Sequence, residues 1–183
     1  MTLNWLPNAL TFARIALAFA VAWMILILPA SSLWPAIAFI MVALTDFADG
    51  WVARKLNAVS TLGAFLDPVA DKVLVGLSLL SLAATRDWAL LLLLPGLLII
   101  TRDLIATGLR LVPSVEMPVS RLAKWKTALE MGAIVALLLA GPVSSLTLWN
   151  AGLLVLWLAA LLSVYTLGLY LGAVLADTKR PRS

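Results

Sequence analysis

The chain has 183 residues, 63% of them hydrophobic and 12% charged, with a formal net charge of +4. A mean hydropathy of +1.08 speaks against an ordinary soluble domain. With no cysteine and no histidine, disulfides, thiolate sites, cysteine nucleophiles and the commonest general base are excluded, and chemistry must run on carboxylates, lysine, arginine, hydroxyls and metal.

Met1 to Pro7 reads as a short interfacial segment with Trp5 at headgroup depth. It lacks the basic start and small-residue cleavage site of a signal peptide. Apolar segments then predict six helices, over residues 8–30, 33–55, 64–85, 88–111, 121–141 and 146–176. Breaks come at Pro29 to Ser32, at Arg86 and Asp87, between Pro113 and Pro118, and at Gly141 and Pro142. The expectation is all-α: an integral membrane bundle of six transmembrane helices forming one domain over residues 1–183.

Basic residues alternate between the connections. Arg54 and Lys55 follow the second helix, Arg110, Arg121, Lys124 and Lys126 surround the junction of the fourth and fifth, and Lys179, Arg180 and Arg182 end the chain. The positive-inside rule therefore puts both termini and the 55–62 connection in the cytoplasm. The net positive charge fits this topology and an anionic lipid surface, and no nucleic acid is implied.

The densest chemistry lies at the cytoplasmic ends of helices two and three. There the chain reads Asp46-x-x-Asp49-Gly50-x-x-Ala53-Arg54, then eight residues, then Gly63-x-x-x-Asp67-x-x-x-Asp71. Four of the nine acidic residues fall in this stretch, between apolar runs. At the bilayer centre each would cost about 2.5–3.5 kcal/mol without a partner, so the cluster calls for cations. Asp46 and Asp49 are three apart and Asp67 and Asp71 four apart, so each pair shares a helix face. An antiparallel hairpin of the two helices brings all four together. Oxygen donors of this kind suit a pair of Mg²⁺ or Mn²⁺ ions gripping a diphosphate. Gly50 and Gly63 permit close approach, Arg54 is placed for a phosphate, and Pro68 falls in the first turn of helix three.

This pattern resembles the signature of the CDP-alcohol phosphatidyltransferases, and the opening residues Pro7, Asn8, Thr11 and Arg14 also look like that family's start. The runs Gly63 to Val75, Thr101-Arg102-Asp103 to Arg110 and Lys124-Trp125-Lys126-Thr127 resemble its bacterial branch that makes phosphatidylglycerophosphate. Two positions depart from that branch: Asp103 stands where glutamate is usual and Ala123 where glycine is usual. The resemblance implies transfer of the phosphatidyl group of CDP-diacylglycerol to sn-glycerol 3-phosphate, with release of CMP. It implies that Asp46 and Asp67 bridge two metals, that Asp49 and Asp71 complete one site each, and that Asp71 takes the proton of the attacking hydroxyl. Asn8, Thr11, Gly50, Ala53, Arg54, Ser60 and Gly63 belong to the CDP-diacylglycerol side. A bacterial inner-membrane location, an active site facing the cytoplasm and a homodimer follow from the same likeness.

A phosphorylated acceptor needs further cations, and Arg102, Arg110, Lys124 and Lys126 are the candidates on the cytoplasmic side. Lys72 is open between pairing with the motif carboxylates and sitting at the membrane face. Arg14, inside the first apolar segment, is open between a substrate contact and a structural one to Asp103 or Glu130. Two alternatives stand beside this reading. One is a relative acting on serine, an inositol phosphate or phosphatidylglycerol. The other is a metal-ion or proton transporter, since intramembrane carboxylates also line ion pathways. An EF-hand is excluded, because the motif lacks alternating ligands and a terminal glutamate.

Overall fold

The computed structural model describes the backbone of residues 5–55, 61–86, 90–110 and 121–178, and the side chains of 11–45, 69–70, 72–86, 90–106, 108, 125–169 and 172. Within these residues the chain forms six helices: α1 (Trp5–Ile27), α2 (Trp34–Lys55), α3 (Thr61–Ala84), α4 (Leu90–Arg110), α5 (Arg121–Ala140) and α6 (Leu146–Thr178). No strand occurs among them. The expected all-α architecture holds at this level.

Two boundaries differ from the expectation in an informative way. Helix α1 begins at Trp5, so Trp5 to Pro7 are helical; Pro7 is accommodated because first-turn amides have no intrahelical partner. Helix α3 begins at Thr61, which places Pro68 beyond the first turn rather than in it. The α5–α6 turn is closed by local bonds. The Ser145 amide donates to Ala140 O at 3.0 Å, Ser144 adopts φ 51°, and Ser145 Oγ accepts from the Leu148 amide at 3.2 Å, capping α6.

Helix α1 packs on α2 and α3, α3 on α4 and α5, α5 on α2 and α6, and α4 on α6. Among the described residues α2 and α3 do not touch. Each packs on α1, and the motif ends where the hairpin is expected lie outside the described side chains. The connection 56–60 still limits the separation of their joined ends to about 20 Å.

The core-facing seams have helical spacing: Thr11, Arg14, Ala18, Val21 and Ile25 on α1, and Lys126, Glu130, Ala133 and Leu137 on α5. Glycines set the α3–α4 distance. A Cβ on Gly76 would lie 3.1 Å from Ile100 Cδ1, and one on Gly96 would lie 3.3 Å from Leu79 Cδ1. The pairs Gly76–Ile100 and Leu79–Gly96 share one antiparallel register, and continuing it sets Lys72 opposite Asp103.

The outward faces are as apolar as the inward ones. Phe12, Phe19, Trp23 and Leu26 on α1, Ile37, Met41 and Leu44 on α2, Leu90, Leu94, Leu97 and Leu104 on α4, and Leu154, Leu158, Leu161 and Tyr165 on α6 are exposed. One helix among the described residues, over Leu146–Leu169, is by itself long and apolar enough to cross a membrane. Shorter apolar helical stretches run over Thr11–Ile27, Trp34–Thr45 and Lys72–Ala84.

Candidate active site

Odd-numbered helices start, and even-numbered helices finish, at one end of this up-and-down bundle. That end holds every buried charged residue described: Arg14 near the start of α1, Arg102 and Asp103 in the second half of α4, and Lys126 and Glu130 in the first half of α5. Buried Ser163 and Thr166 join them from α6. The opposite end is filled by Ile25, Leu82, Ala83, Leu92, Leu137 and Leu138. Polarity inside the bundle is thus graded along its axis.

The sequence motif belongs to the polar end. Asp46, Asp49, Gly50, Ala53 and Arg54 lie in the second half of α2, Gly63, Asp67 and Asp71 in the first half of α3, and Asn8 at the start of α1. The helical backbone is continuous through both acidic pairs, so Asp46 and Asp49 stand about 60° apart around their axis, and Asp67 and Asp71 about 40° apart. The side chains of these nine residues, and of Arg110 and Lys124, lie outside the described ones, as does Ser60 altogether. Thr11 is described, and it is buried in the α1 seam.

One carboxylate organises the polar core. Asp103, 3% exposed, receives Lys72 from α3 on Oδ2 and Lys126 from α5 on Oδ1. Arg102 Nη1 also reaches Oδ1, at 3.0 Å. The same guanidinium crosses to α6, with Nε donating to Ser163 O at 3.0 Å and Nη2 to Thr166 Oγ1 at 2.8 Å. Lys126 Nζ also meets Glu130 Oε1 at 3.1 Å, one turn along α5. Four helices are joined through adjoining groups. Among the described side chains, three cations (Lys72, Arg102, Lys126) face two carboxylates (Asp103, Glu130).

Of the expected acceptor cations, the structure brings Arg102 and Lys126 together, but both are buried with donors turned to protein oxygens. Sequence reasoning left Lys72 undecided and missed Asp103 as the hub. The available signals were the Lys126–Glu130 spacing and the antiparallel pairing of α3 with α4.

Among the described residues, where Asp103 and Glu130 are the acidic side chains, no group of three metal-ligating side chains occurs. The motif aspartates have the right donor chemistry: hard carboxylate oxygens at i,i+3 and i,i+4 on uninterrupted helices suit Mg²⁺ or Mn²⁺.

Comparison with known proteins identifies the family. The sequence profile described as CDP-alcohol phosphatidyltransferase matches residues 4–165. The chain is 40% identical over 169 residues to a CDP-diacylglycerol–glycerol-3-phosphate 3-phosphatidyltransferase of Rickettsia bellii, covering 88% of this chain and 90% of that protein. It is 35% identical to a chloroplastic/mitochondrial enzyme of the same name from Arabidopsis thaliana, over 91% of this chain and 61% of the relative. A rice cardiolipin synthase (CMP-forming) is 34% identical over 91% of this chain and 56% of its own length. With both halves of the motif inside the matched span, the chain belongs to the CDP-alcohol phosphatidyltransferase family.

Proposed function

We propose that this chain is a membrane transferase that moves the phosphatidyl group of CDP-diacylglycerol to sn-glycerol 3-phosphate, giving phosphatidylglycerophosphate and CMP. The observation that carries the reading is the complete carboxylate motif on α2 and α3, at the end of the bundle where the buried charge collects. The 40% identical Rickettsia relative bears the name of this activity.

The protein is a single domain spanning a bacterial cytoplasmic membrane six times. Apolar outward stripes on α1, α2, α4 and α6 suit hydrocarbon, where large exposed leucines and aromatics cost nothing. Helices below the full crossing length are completed at their polar ends by the motif and the charge network, which faces the cytoplasm. Two copies associate as in the dimer implied by the family likeness.

Asp46, Asp49, Asp67 and Asp71 would hold the two Mg²⁺ or Mn²⁺ ions through their carboxylate oxygens. Such ions, when bound, supply neutralisation of the diphosphate and of the departing CMP. Gly50, Ala53 and Gly63 leave room for the CDP group, and Arg54 and Ser60 hold it, with Asn8 and Thr11 alongside. Asp71 accepts the proton of the acceptor hydroxyl as that oxygen attacks the β-phosphorus, and the bond to the CMP oxygen breaks. Arg110 and Lys124 approach the acceptor phosphate from the ends of α4 and α5, backed by the buried pair Arg102 and Lys126.

An acceptor panel tests this reading. Purified protein in detergent, supplied with CDP-diacylglycerol and Mg²⁺ or Mn²⁺, should release CMP with glycerol 3-phosphate and lose that activity on chelation. Turnover with serine, an inositol phosphate or phosphatidylglycerol in its place would reassign the acceptor. Absence of CMP release with every alcohol would remove the enzyme reading in favour of ion transport.

A further inference from the structure

Resting on the proposed transfer, we infer that Lys72 is a substrate-facing cation that binds a phosphate group, and that Asp103 is the residue that positions it. The inference starts from the ion pairs of the polar core. Asp103 already meets Arg102 and Lys126, and Lys126 is also held by Glu130. A third cation on Asp103 is not needed to neutralise it.

Donor inventory selects Lys72 as the group the anion meets. Arg102 directs Nε to Ser163, Nη1 to Asp103 and Nη2 to Thr166. Lys126, 2% exposed, divides its ammonium between Asp103 and Glu130. Lys72 meets Asp103 alone among these carboxylates, and its side chain remains 25% exposed. An ammonium has three donors, so two remain for a phosphate.

Position along α3 points the same way. Lys72 directly follows Asp71 and is five residues beyond Asp67. Holding Lys72 against α4 fixes the rotation of α3, and so the bearing of positions 67 and 71 around its axis. Asp103 thereby sets both a cation and the helix that carries two of the motif carboxylates. Both proposed substrates present phosphate, so the acceptor's phosphate and the donor's diphosphate are the two sources of this chemistry.

The experiment uses the full chain in detergent with divalent metal, and measures KM for glycerol 3-phosphate and for CDP-diacylglycerol separately. Wild-type turnover is read first, and its absence would refute the transfer itself, together with this assignment. Given wild-type turnover, Lys72→Met should raise KM for one substrate about tenfold or more while the other stays within about threefold, since lost uniform binding appears in the KM of the substrate concerned. A rise confined to glycerol 3-phosphate assigns the acceptor phosphate, and one confined to CDP-diacylglycerol assigns the donor diphosphate. Lys72→Arg should recover most of the loss. Asp103→Asn should shift the same KM, and Asp103→Glu should restore it. If Lys72→Met does not fold, Lys72→Gln carries the same expectation. Variants with both KM values within about twofold of wild type and only a lower melting temperature would show a structural lysine and overturn the inference.

Discussion

Asp71 and Asp67 separate two kinds of contribution that one carboxylate can make. If Asp67 bridges both ions, Asp67→Asn should abolish metal-dependent donor binding together with turnover. Asp71→Asn keeps most of the ligand set but loses the proton acceptor. Its kcat should fall about 10²–10⁴-fold, with a much smaller loss of CDP-diacylglycerol affinity. Parallel titrations of donor binding and initial rate distinguish the two, and a fast Asp71→Asn enzyme at saturating metal would remove its role as base. Glu130 makes a contrasting case. It is fully buried on α5 and ion-paired with Lys126, away from the motif aspartates in sequence. Replacing it by alanine leaves Lys126 with one carboxylate fewer in a closed site. Breaking a buried pair in this way costs about 3–5 kcal/mol, readable as a lower midpoint in thermal unfolding. An unchanged midpoint would mean that Asp103 alone satisfies Lys126.

At the level of helices, glycine positions decide where elements can close up. A side chain at Gly76 would press on Ile100, and Lys72 and Asp103 meet one turn away along the same α3–α4 contact. Gly76→Val should therefore cost about 1–3 kcal/mol from overpacking and reduce activity with it. Gly132 is the opposite case: it is exposed on α5 with nothing within 4 Å of an added Cβ. Gly132→Ala should hold activity and raise helix stability by up to about 1 kcal/mol, measured by thermal unfolding of both variants side by side. The sequence alone made the six helices readable, because apolar runs separated by proline, glycine and charge leave few other choices. Pro7 and Pro68 misplaced two starts, since proline was read as marking an edge that these helices run through. Partnership between helices was less readable. The packing of α1 on both α2 and α3, through a seam that includes Ala18, Val21 and Ile25, had no marker in the sequence. The motif carboxylates were visible as a fixed local spacing. The Asp103 hub was not, because it joins residues from α3, α4 and α5 whose proximity exists only after folding.

For the whole molecule, the apolar outward faces of the described helices around a core that is polar at one end predict, under the proposed six-span topology, a defined direction in the membrane. Reporter fusions at Ser183 and within the 55–62 connection should both report the cytoplasmic side, and an external Ser183 would overturn the six-span topology. The central claim is that this polar end carries out direct phosphatidyl transfer to an alcohol. Its most direct measurement follows the oxygen atoms. Purified protein is given CDP-diacylglycerol, divalent metal and glycerol 3-phosphate carrying ¹⁸O in the hydroxyl groups, and both products are weighed by mass spectrometry. Attack of the acceptor hydroxyl on the β-phosphorus predicts phosphatidylglycerophosphate that retains the label in its new phosphodiester, with unlabelled CMP. Labelled CMP, or CMP released without any phosphatidylglycerophosphate, would contradict it.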